Sequence, residues 1–142
     1  MKGKCLCGQV EFEVTGKISS LYQCSCSMCQ KASGTSKSTS LIAGADDIVW
    51  IRGKDKISSY TKENGFRTDF CGICGSPVPN KMNIGDYMCI PAGSIEGSIN
   101  KSIVAHIFTA SKASWDNKAE NCKLFSAEPE NIEEFMKLLQ NT

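Results

Sequence analysis

The sequence predicts a mainly β domain that ends in a short helix. Several short segments alternate apolar and polar residues, as half-buried strands do, and glycine, proline and aspartate separate them as turns. Only the last segment, residues 130–140, carries a clear helical pattern. The length of 142 residues suits one hydrophobic core, so we expect residues 1–142 to form a single domain.

The first predicted strand covers residues 9–14. Polar and apolar side chains alternate along it, which places Val10, Phe12 and Val14 on the buried face. Strands are also predicted over residues 38–43, 48–51 and 103–108, with extended segments at 57–60 and 66–70 and a short buried run at 88–93. Because these segments are short and separated by turns, we expect sheets of several brief strands.

The C-terminal helix is predicted from a single apolar stripe. Its apolar residues are spaced i, i+3, i+4 and i+7, at Ile132, Phe135, Met136 and Leu139. Pro129 suits the first turn, and Glu130 and Glu133 favour the positive start of a helix. We expect the stripe to pack against the rest of the domain. A short turn or single helical turn is also predicted over residues 30–34.

Composition and charge disfavour several classes of partner. The formal net charge is +1 and no long run of one sign occurs, which argues against nucleic acid or an anionic membrane. No apolar run approaches the roughly 20 residues of a membrane-spanning helix. The first residues run directly into Cys5 without a signal-peptide core, so a reducing, cytoplasmic location is predicted.

The cysteines form the most informative pattern of the chain. There are nine, and seven of them fall into a pair, a triplet and a second pair: Cys5 and Cys7, then Cys24, Cys26 and Cys29, then Cys71 and Cys74. Neighbours in a Cys-x-Cys unit bridge each other only through a strained ring, whereas both thiols can point to one side of an extended backbone as metal ligands. The spacing therefore favours metal ligation over disulfides.

The two pairs together supply four thiols, enough to close a tetrahedron around zinc. Such sites hold the metal with four soft ligands at about 2.3 Å and are usually structural. We therefore expect Cys5, Cys7, Cys71 and Cys74 to form a structural zinc site whose binding energy contributes to folding. A redox role for the second pair is disfavoured, since no βαβ pattern surrounds it.

The triplet supplies only three ligands and would leave one coordination position of a zinc ion open. Open positions can accept substrate, and a thiol bound to zinc is deprotonated near neutral pH. Three thiolates make the metal a weak Lewis acid, which favours a soft sulfur ligand over polarisation of a carbonyl. We therefore predict a catalytic zinc held by Cys24, Cys26 and Cys29, and two zinc ions per chain.

Alternatives to an open site remain at this stage. A second structural zinc would result if Cys89, Cys122, His106 or a carboxylate such as Asp69 completed the triplet. Cys89 lies in an apolar run, which favours a packed core thiol. Cys122 lies between polar residues, and no role is assigned to it.

The single histidine, His106, has two interpretations. Its alternation with Val104 and Phe108 favours a hydrogen-bonded core histidine, while a base or orienting group near the open zinc is the alternative. Trp115 is expected in the core, and Lys112 is a candidate for meeting a substrate carboxylate.

Several motifs together resemble one known family. They are Gly3-x-Cys5-x-Cys7-Gly8-x-Val10-x-Phe12, Cys24-x-Cys26-x-x-Cys29-x-Lys31-x-Ser33-Gly34, Phe70-Cys71-x-x-Cys74-Gly75-Ser76-Pro77, Pro91-Ala92-Gly93-Ser94-Ile95, His106-Ile107 and Ser111-Lys112-Ala113-Ser114-Trp115. In order and spacing they are similar to the glutathione-dependent formaldehyde-activating enzymes, whose zinc-binding domain is shared with centromere protein V. The resemblance covers about residues 3–125.

The resemblance implies an Mss4-like fold of several coiled antiparallel sheets around the zinc sites, and the same division of zinc ligands. It implies a carbon–sulfur lyase that joins formaldehyde to glutathione, giving S-(hydroxymethyl)glutathione, so the expected partners are a small thiol and an aldehyde. Ser25, Gln30 and Ser114 stand where many members carry histidine, arginine and proline, and none of these departures removes a ligand. A non-catalytic zinc module for protein interaction or zinc storage is the second hypothesis.

Overall fold

The computed structural model describes residues 1–116, 125–127 and 130–140 of the chain. Within them the strands are β1 (Lys2–Lys4), β2 (Glu11–Val14), β3 (Leu21–Cys24), β4 (Ser38–Gly44), β5 (Ile48–Arg52), β6 (Ile57–Thr61), β7 (Arg67–Cys71), β8 (Pro77–Val78), β9 (Asn80–Lys81), β10 (Tyr87–Pro91) and β11 (Ile103–Ile107). The α-helices are α1 (Ser27–Ser33) and α2 (Ile132–Gln140). No helix within these ranges has the length and apolar character needed to cross a membrane.

The strands form three sheets, with the orders β1-β2-β5, β11-β3-β4-β10-β9 and β6-β7-β8. Neighbouring strands are antiparallel, except that β11 runs parallel to β3 at one edge of the five-stranded sheet. The predicted fold class is therefore confirmed: a mainly β chain of several antiparallel sheets with a short C-terminal helix.

The main core lies between the five-stranded sheet and the sheet of β1, β2 and β5. Its buried members are Phe12, Val14, Leu41, Ala43, Met88, Ile90 and Ile95. The predicted inward face of β2 is confirmed, since Val10 and Phe12 are 0% exposed and Val14 is 3% exposed. Because side chains alternate along a strand, β10 presents Met88 and Ile90 to this core and Cys89 to the opposite face.

Gly3 allows β1 to pack closely over the core. It pairs with Phe12 across the sheet, and a β-carbon at this position would collide with the Phe12 ring and lie 2.7 Å from the carbonyl oxygen of Ser94. The Phe12 ring in turn makes an edge-to-face contact with Trp50, with ring centroids 5.9 Å apart. The packing thus leaves no room for a side chain at this position, and glycine is required.

The exposure of the β11 side chains differs from the expectation. The predicted strand is present, but the predicted core face is not, because Val104 is 69% exposed and Phe108 is 59% exposed. The physical reason is position, because among the described residues β11 is an edge strand that pairs with β3 alone. Phe108 has a left-handed backbone with φ of 56°, which ends the strand. Trp115, expected in the core, is 69% exposed.

Helix α1 is longer than the single turn predicted over residues 30–34. The thiol of Cys26 caps it by accepting the backbone N–H of Cys29 at 3.3 Å, and Gly34 ends it with a φ of 69°. Helix formation therefore begins inside the cysteine triplet. Cys26 and Cys29 thus belong to the cysteine triplet and are also the N-cap and a first-turn residue of the helix.

The predicted C-terminal helix is present as α2. Its start is capped by the Asn131 side chain, which accepts the backbone N–H groups of Glu133 and Glu134 at 2.9 and 3.2 Å. The expected packing of the stripe is present in part, since Phe135 is half-buried against Phe125 with ring centroids 5.8 Å apart, whereas Met136 is 43% exposed and Leu139 is 54% exposed. Pro129 and Cys122 lie outside the described residues.

Candidate metal centres and the adjoining cavity

The four thiols predicted to act together lie together. The sulfur atoms of Cys5, Cys7, Cys71 and Cys74 are all within 4.8 Å of one another. Cys5 Sγ is 3.6 Å from Cys7 Sγ, and Cys7 Sγ is 3.8 Å from Cys71 Sγ. A tetrahedron with metal–sulfur bonds of about 2.3 Å has sulfur–sulfur edges of about 3.8 Å. The donor set and its spacing therefore fit a zinc ion.

Two tight turns bring these thiols together. Gly8 donates its N–H to the Cys5 carbonyl at 3.0 Å, and Gly75 donates to the Cys71 carbonyl at 2.8 Å. Both glycines have positive φ, 72° and 76°, so each turn closes with its thiols on one side. The Leu6 N–H, between the first two thiols, donates to the Ser76 hydroxyl at 3.0 Å and joins the two turns.

The thiols of this cluster differ in acidity. The Ser76 hydroxyl, 3.3 Å from Cys74 Sγ, is the main cause that lowers the pKa of Cys74 to about 5. The Gln9 backbone lowers the pKa of Cys7, but burial and the neighbouring thiols outweigh it and raise that pKa to about 11. Four crowded thiolates repel one another, and a dication is the natural compensation for that charge.

The triplet forms a second, smaller cluster. The sulfur atoms of Cys24, Cys26 and Cys29 lie within 4.8 Å of one another, and no further histidine, cysteine or carboxylate ligand among the described residues joins the group. Cys24 is 6% exposed and Cys26 is 7% exposed, whereas Cys29 is half-buried. Either cluster could hold a metal ion.

Backbone pairing and a helix start shape the triplet. Cys24 ends β3 opposite Ile107 of β11, and the Ser25 N–H continues this pairing by donating to the Ile107 carbonyl at 3.1 Å. The chain then turns into α1, where Cys26 caps the helix that carries Cys29. Three thiols within six residues thus converge because a strand ends where a helix begins.

The pKa values of the triplet thiols depend on burial and on the neighbouring thiols. Burial raises the pKa of Cys29 to about 12, assisted by the Cys26 and Cys24 thiols and opposed by a hydrogen bond from Ser38. Burial also raises the pKa of Cys24. For Cys26, burial is outweighed by hydrogen bonds from the Cys29 backbone and the neighbouring thiols, which lower the pKa.

A polar brace, formed by Ser25, Gln30 and His106, supports the loop that carries the triplet. Ser25 is 0% exposed, and its hydroxyl oxygen lies 2.6 Å from His106 Nε2. The Gln30 side chain donates from Nε2 to the carbonyls of Ser25 at 2.7 Å and Ser111 at 3.0 Å. His106 is therefore a half-buried, hydrogen-bonded residue beside the cluster, reached through Ser25, and it is not in the ligand group.

None of the proposed fourth ligands that the structure describes completes the triplet. Asp69 is instead bound by Arg67, whose Nε and Nη2 donate to its two carboxylate oxygens at 2.8 and 3.0 Å. Cys89 lies outside the group, with its sulfur 3.5 Å from the Tyr22 hydroxyl oxygen. The prediction of a packed core thiol is wrong for Cys89, because it is half-buried and lines a cavity. Cys122 lies outside the described residues.

A cavity of about 800 Å³ adjoins the triplet. Its lining includes Cys29 of the triplet with Tyr22, Ser38 and Cys89, and also Cys5 of the four-thiol cluster with Leu6 and Ser76. Its charged lining consists of Lys4, Lys37, Arg67, Lys81, Asp69 and Glu96. Cationic groups thus outnumber acidic ones on the wall. Lys112, a candidate for meeting a substrate carboxylate, is not among the lining residues.

Sequence reasoning missed most of the cavity wall. Tyr22 and Cys89 belong to no ligand motif, and they meet because Tyr22 pairs with Ser40 of β4, which also pairs with Pro91 of β10. One signal was available: Tyr22 precedes Cys24 by two positions, so both side chains lie on the same face of β3. Burial is the main cause that raises the pKa of Tyr22, and the Cys89, Cys29 and Cys24 thiols add to it.

The fold and the clusters together define a class: a mainly β domain with two cysteine clusters that could hold metal ions. The family model described as glutathione-dependent formaldehyde-activating enzyme matches residues 1–111, and the chain belongs to this family. A search of curated proteins found no match. The resemblance inferred from the motifs is therefore confirmed at the level of the family.

A solved structure shares the fold. A crystal structure of a Rhodobacter sphaeroides protein, determined as a structural genomics target, superposes with a TM-score of 0.62 at 23% sequence identity. The match covers 75% of this chain and 99% of that one. This likeness supports the arrangement of the sheets.

Proposed function

We propose that this protein is a zinc-dependent carbon–sulfur lyase that joins an aldehyde to a small thiol. The proposed substrates are formaldehyde and glutathione, and the product is S-(hydroxymethyl)glutathione. The observation that carries the proposal is a three-thiol cluster without a fourth ligand in the described part of the chain, beside a large cavity. Membership of the formaldehyde-activating family supports the same reaction class.

The triplet fits the metal by donor chemistry and by spacing. A zinc ion held by Cys24, Cys26 and Cys29 would supply an open coordination position for a soft sulfur ligand and lower the pKa of a thiol bound there. Cys29 lines the cavity, so a thiol can approach the cluster from that side, whereas Cys24 and Cys26 are buried. The brace of Ser25, His106 and Gln30 keeps the loop in this shape.

The four-thiol cluster has a different role in this proposal. Cys5, Cys7, Cys71 and Cys74 hold a structural zinc that fastens the loop after β1 to the end of β7. The buried Val10 and Val78 pack against it as a small core of their own. In this proposal the zinc of the four-thiol cluster would stabilise the fold, and the reaction would take place at the triplet.

The size and charge of the cavity support a tripeptide thiol as the partner. A volume of about 800 Å³ lies in the usual range of ligand pockets and far exceeds what a one-carbon aldehyde fills. The cationic side chains Lys4, Lys37, Arg67 and Lys81 outnumber Asp69 and Glu96 on the wall. All four cations are already ion-paired, Lys37 and Lys81 with Asp116 and Asp86 outside the lining. The exposed pairs of Lys4 and Lys81 are weak, so these two lysines can exchange their acidic partners for the carboxylates of a small thiol.

The direct test is the condensation of formaldehyde with glutathione, followed by exchange NMR. Protein with two zinc ions confirmed by elemental analysis should accelerate the reaction beyond its spontaneous rate. Glutathione diethyl ester, which lacks both carboxylate charges, should bind more weakly and react more slowly at low concentration. If the fully zinc-loaded protein did not accelerate the condensation, the proposed enzymatic function would be rejected in favour of the non-catalytic zinc module.

A further inference from the structure

We infer that Tyr22 is a catalytic residue whose hydroxyl donates a hydrogen bond to the aldehyde oxygen while the carbon–sulfur bond forms. This inference rests on the proposed function and adds a role that the thiols cannot fill. A zinc ion held by the three thiols would bind the thiol partner through its sulfur, but the thiolate ligands offer no hydrogen-bond donor to the aldehyde oxygen. The reaction needs a donor at that oxygen.

The strand β3 delivers Tyr22 to the reaction site. Tyr22 lies two residues before Cys24, so both side chains leave the same face of the strand. Tyr22 and Cys29 line the same cavity, together with Ser38 and Cys89. A molecule that enters this cavity beside Cys29 can therefore reach the phenol.

The Tyr22 hydroxyl is poorly satisfied in its present contacts. Its one hydrogen-bond partner within the described ranges is the sulfur of Cys89, at 3.5 Å. Thiol sulfur is a weak acceptor, so exchanging it for an oxygen with developing negative charge is favourable. The phenol is half-buried, which strengthens such a bond because competing water is reduced.

Other nearby donors are already engaged. The Ser38 side chain interacts with the Cys29 thiol and acts to lower its pKa. The Gln23 amide donates to Thr39 at 3.3 Å, and the buried Ser25 hydroxyl faces His106. Tyr22 differs from Ser38 because its partner is the Cys89 thiol, which belongs to neither cluster, so giving up this contact disturbs no candidate metal ligand.

The step balances without oxidation or reduction. The S–H proton of the thiol partner leaves to solvent, and a sulfur lone pair forms the C–S bond with the aldehyde carbon. The π pair of the C=O bond moves onto oxygen, which accepts the Tyr22 hydrogen bond and then takes a proton from solvent. The phenol stays neutral throughout, and the reverse reaction follows the same path.

The test compares Tyr22→Phe with the matched control Tyr87→Phe, a residue of β10 that is 52% exposed and does not line the cavity. Loss of one donor to a developing oxyanion should lower the enzyme-dependent rate constant about 100-fold in Tyr22→Phe. Calorimetric affinity for glutathione alone, zinc content and melting temperature should stay at wild-type values. The control variant should match the wild type in every measurement.

Three outcomes would overturn the inference. In the first, the wild type is active and Tyr22→Phe keeps more than about a third of its rate, which leaves the proposed function intact. In the second, Tyr22→Phe loses rate only in proportion to lost zinc or lost glutathione affinity, so that the phenol has a binding or structural role. In the third, the fully zinc-loaded wild type shows no acceleration, and the proposed function and the role of Tyr22 fail together.

Discussion

The Ser25 hydroxyl oxygen lies 2.6 Å from His106 Nε2, across 81 positions of sequence. This contact joins the loop of the cysteine triplet to the edge strand β11, and Ser25 is fully buried. A buried hydroxyl that loses its partner costs free energy, so the pair restricts the loop to one shape. Contacts of this kind around a metal site orient the ligands that they do not include.

Replacing His106 with alanine should therefore weaken metal binding at the triplet. Partners behind the ligands are typically worth 10- to 100-fold in metal affinity, and we expect a loss of about that size. Competition with a chromophoric chelator measures it, because the two clusters should release zinc in separate steps. The four-thiol cluster should be unaffected.

Val104→Ala is the matched control for this variant. It lies on the same strand and is 69% exposed, so it should leave zinc affinity unchanged. Equal losses in both variants would show that β11 as a whole, and not the Ser25–His106 contact, supports the loop. Unchanged affinity in His106→Ala would remove the contact from the account altogether.

Much of this arrangement was predictable, and the reason is that metal ligands are spaced locally. The Cys-x-Cys and Cys-x-x-Cys units bring thiols together through short turns, so the spacing alone grouped all seven thiols as the structure does. The inward residues of β2 followed from alternation in the same way. Both patterns depend on neighbours within a few positions.

The cavity was not predictable, because its wall depends on which strands become neighbours. Tyr22, Arg67 and Cys89 come from three strands, and no local pattern marks them as one surface. The apolar run around Cys89 hid the alternation that turns its thiol away from the core. For β11 the pattern predicted a strand but did not reveal that it lies at an edge.

Removing one thiol from each cluster should have different consequences. Cys71→Ser opens the four-thiol cluster, so the protein should bind one zinc fewer and melt at a markedly lower temperature, since the structural zinc proposed there would contribute folding energy. Cys29→Ser should also lose one zinc but remain folded and inactive. Zinc analysis, thermal melting and the condensation assay distinguish the two.

Cys89→Ser is the control for these substitutions, because its thiol belongs to neither cluster. It should keep two zinc ions and a near-native melting temperature. If Cys71→Ser melted like the wild type after losing its zinc, the four-thiol site would not be structural. If Cys89→Ser lost a zinc ion, the assignment of ligands to the triplet would need revision.

Adding one methyl group at Gly3 should destabilise the fold. The new β-carbon of Gly3→Ala would collide with the Phe12 ring and crowd the backbone carbonyl of Ser94. Overpacking of this kind costs about 1–3 kcal/mol, which chemical denaturation measures as a lower midpoint. Gly93→Ala is the control, since nothing lies within 4 Å of a β-carbon there. Equal stability of the two variants would contradict this account of close packing at β1.

The Arg67–Asp69 pair should separate stability from substrate binding. Arg67→Met leaves the buried Asp69 carboxylate, whose side chain is 8% exposed, without its bidentate partner. We expect a loss of about 1–3 kcal/mol in unfolding free energy. Arg67 also lines the cavity, so the affinity for glutathione should fall as well.

The double variant Arg67→Met with Asp69→Asn resolves the two effects. Neutralising the carboxylate removes the unpaired charge, so most of the lost stability should return, whereas glutathione affinity should stay low because the cavity still lacks the Arg67 charge. Arg52→Ala breaks an exposed pair with Glu11 away from the cavity and should change both quantities little. If the double variant recovered both stability and affinity, Arg67 would serve only to hold Asp69, and the positive charge that attracts the thiol would have to come from the lysines of the wall.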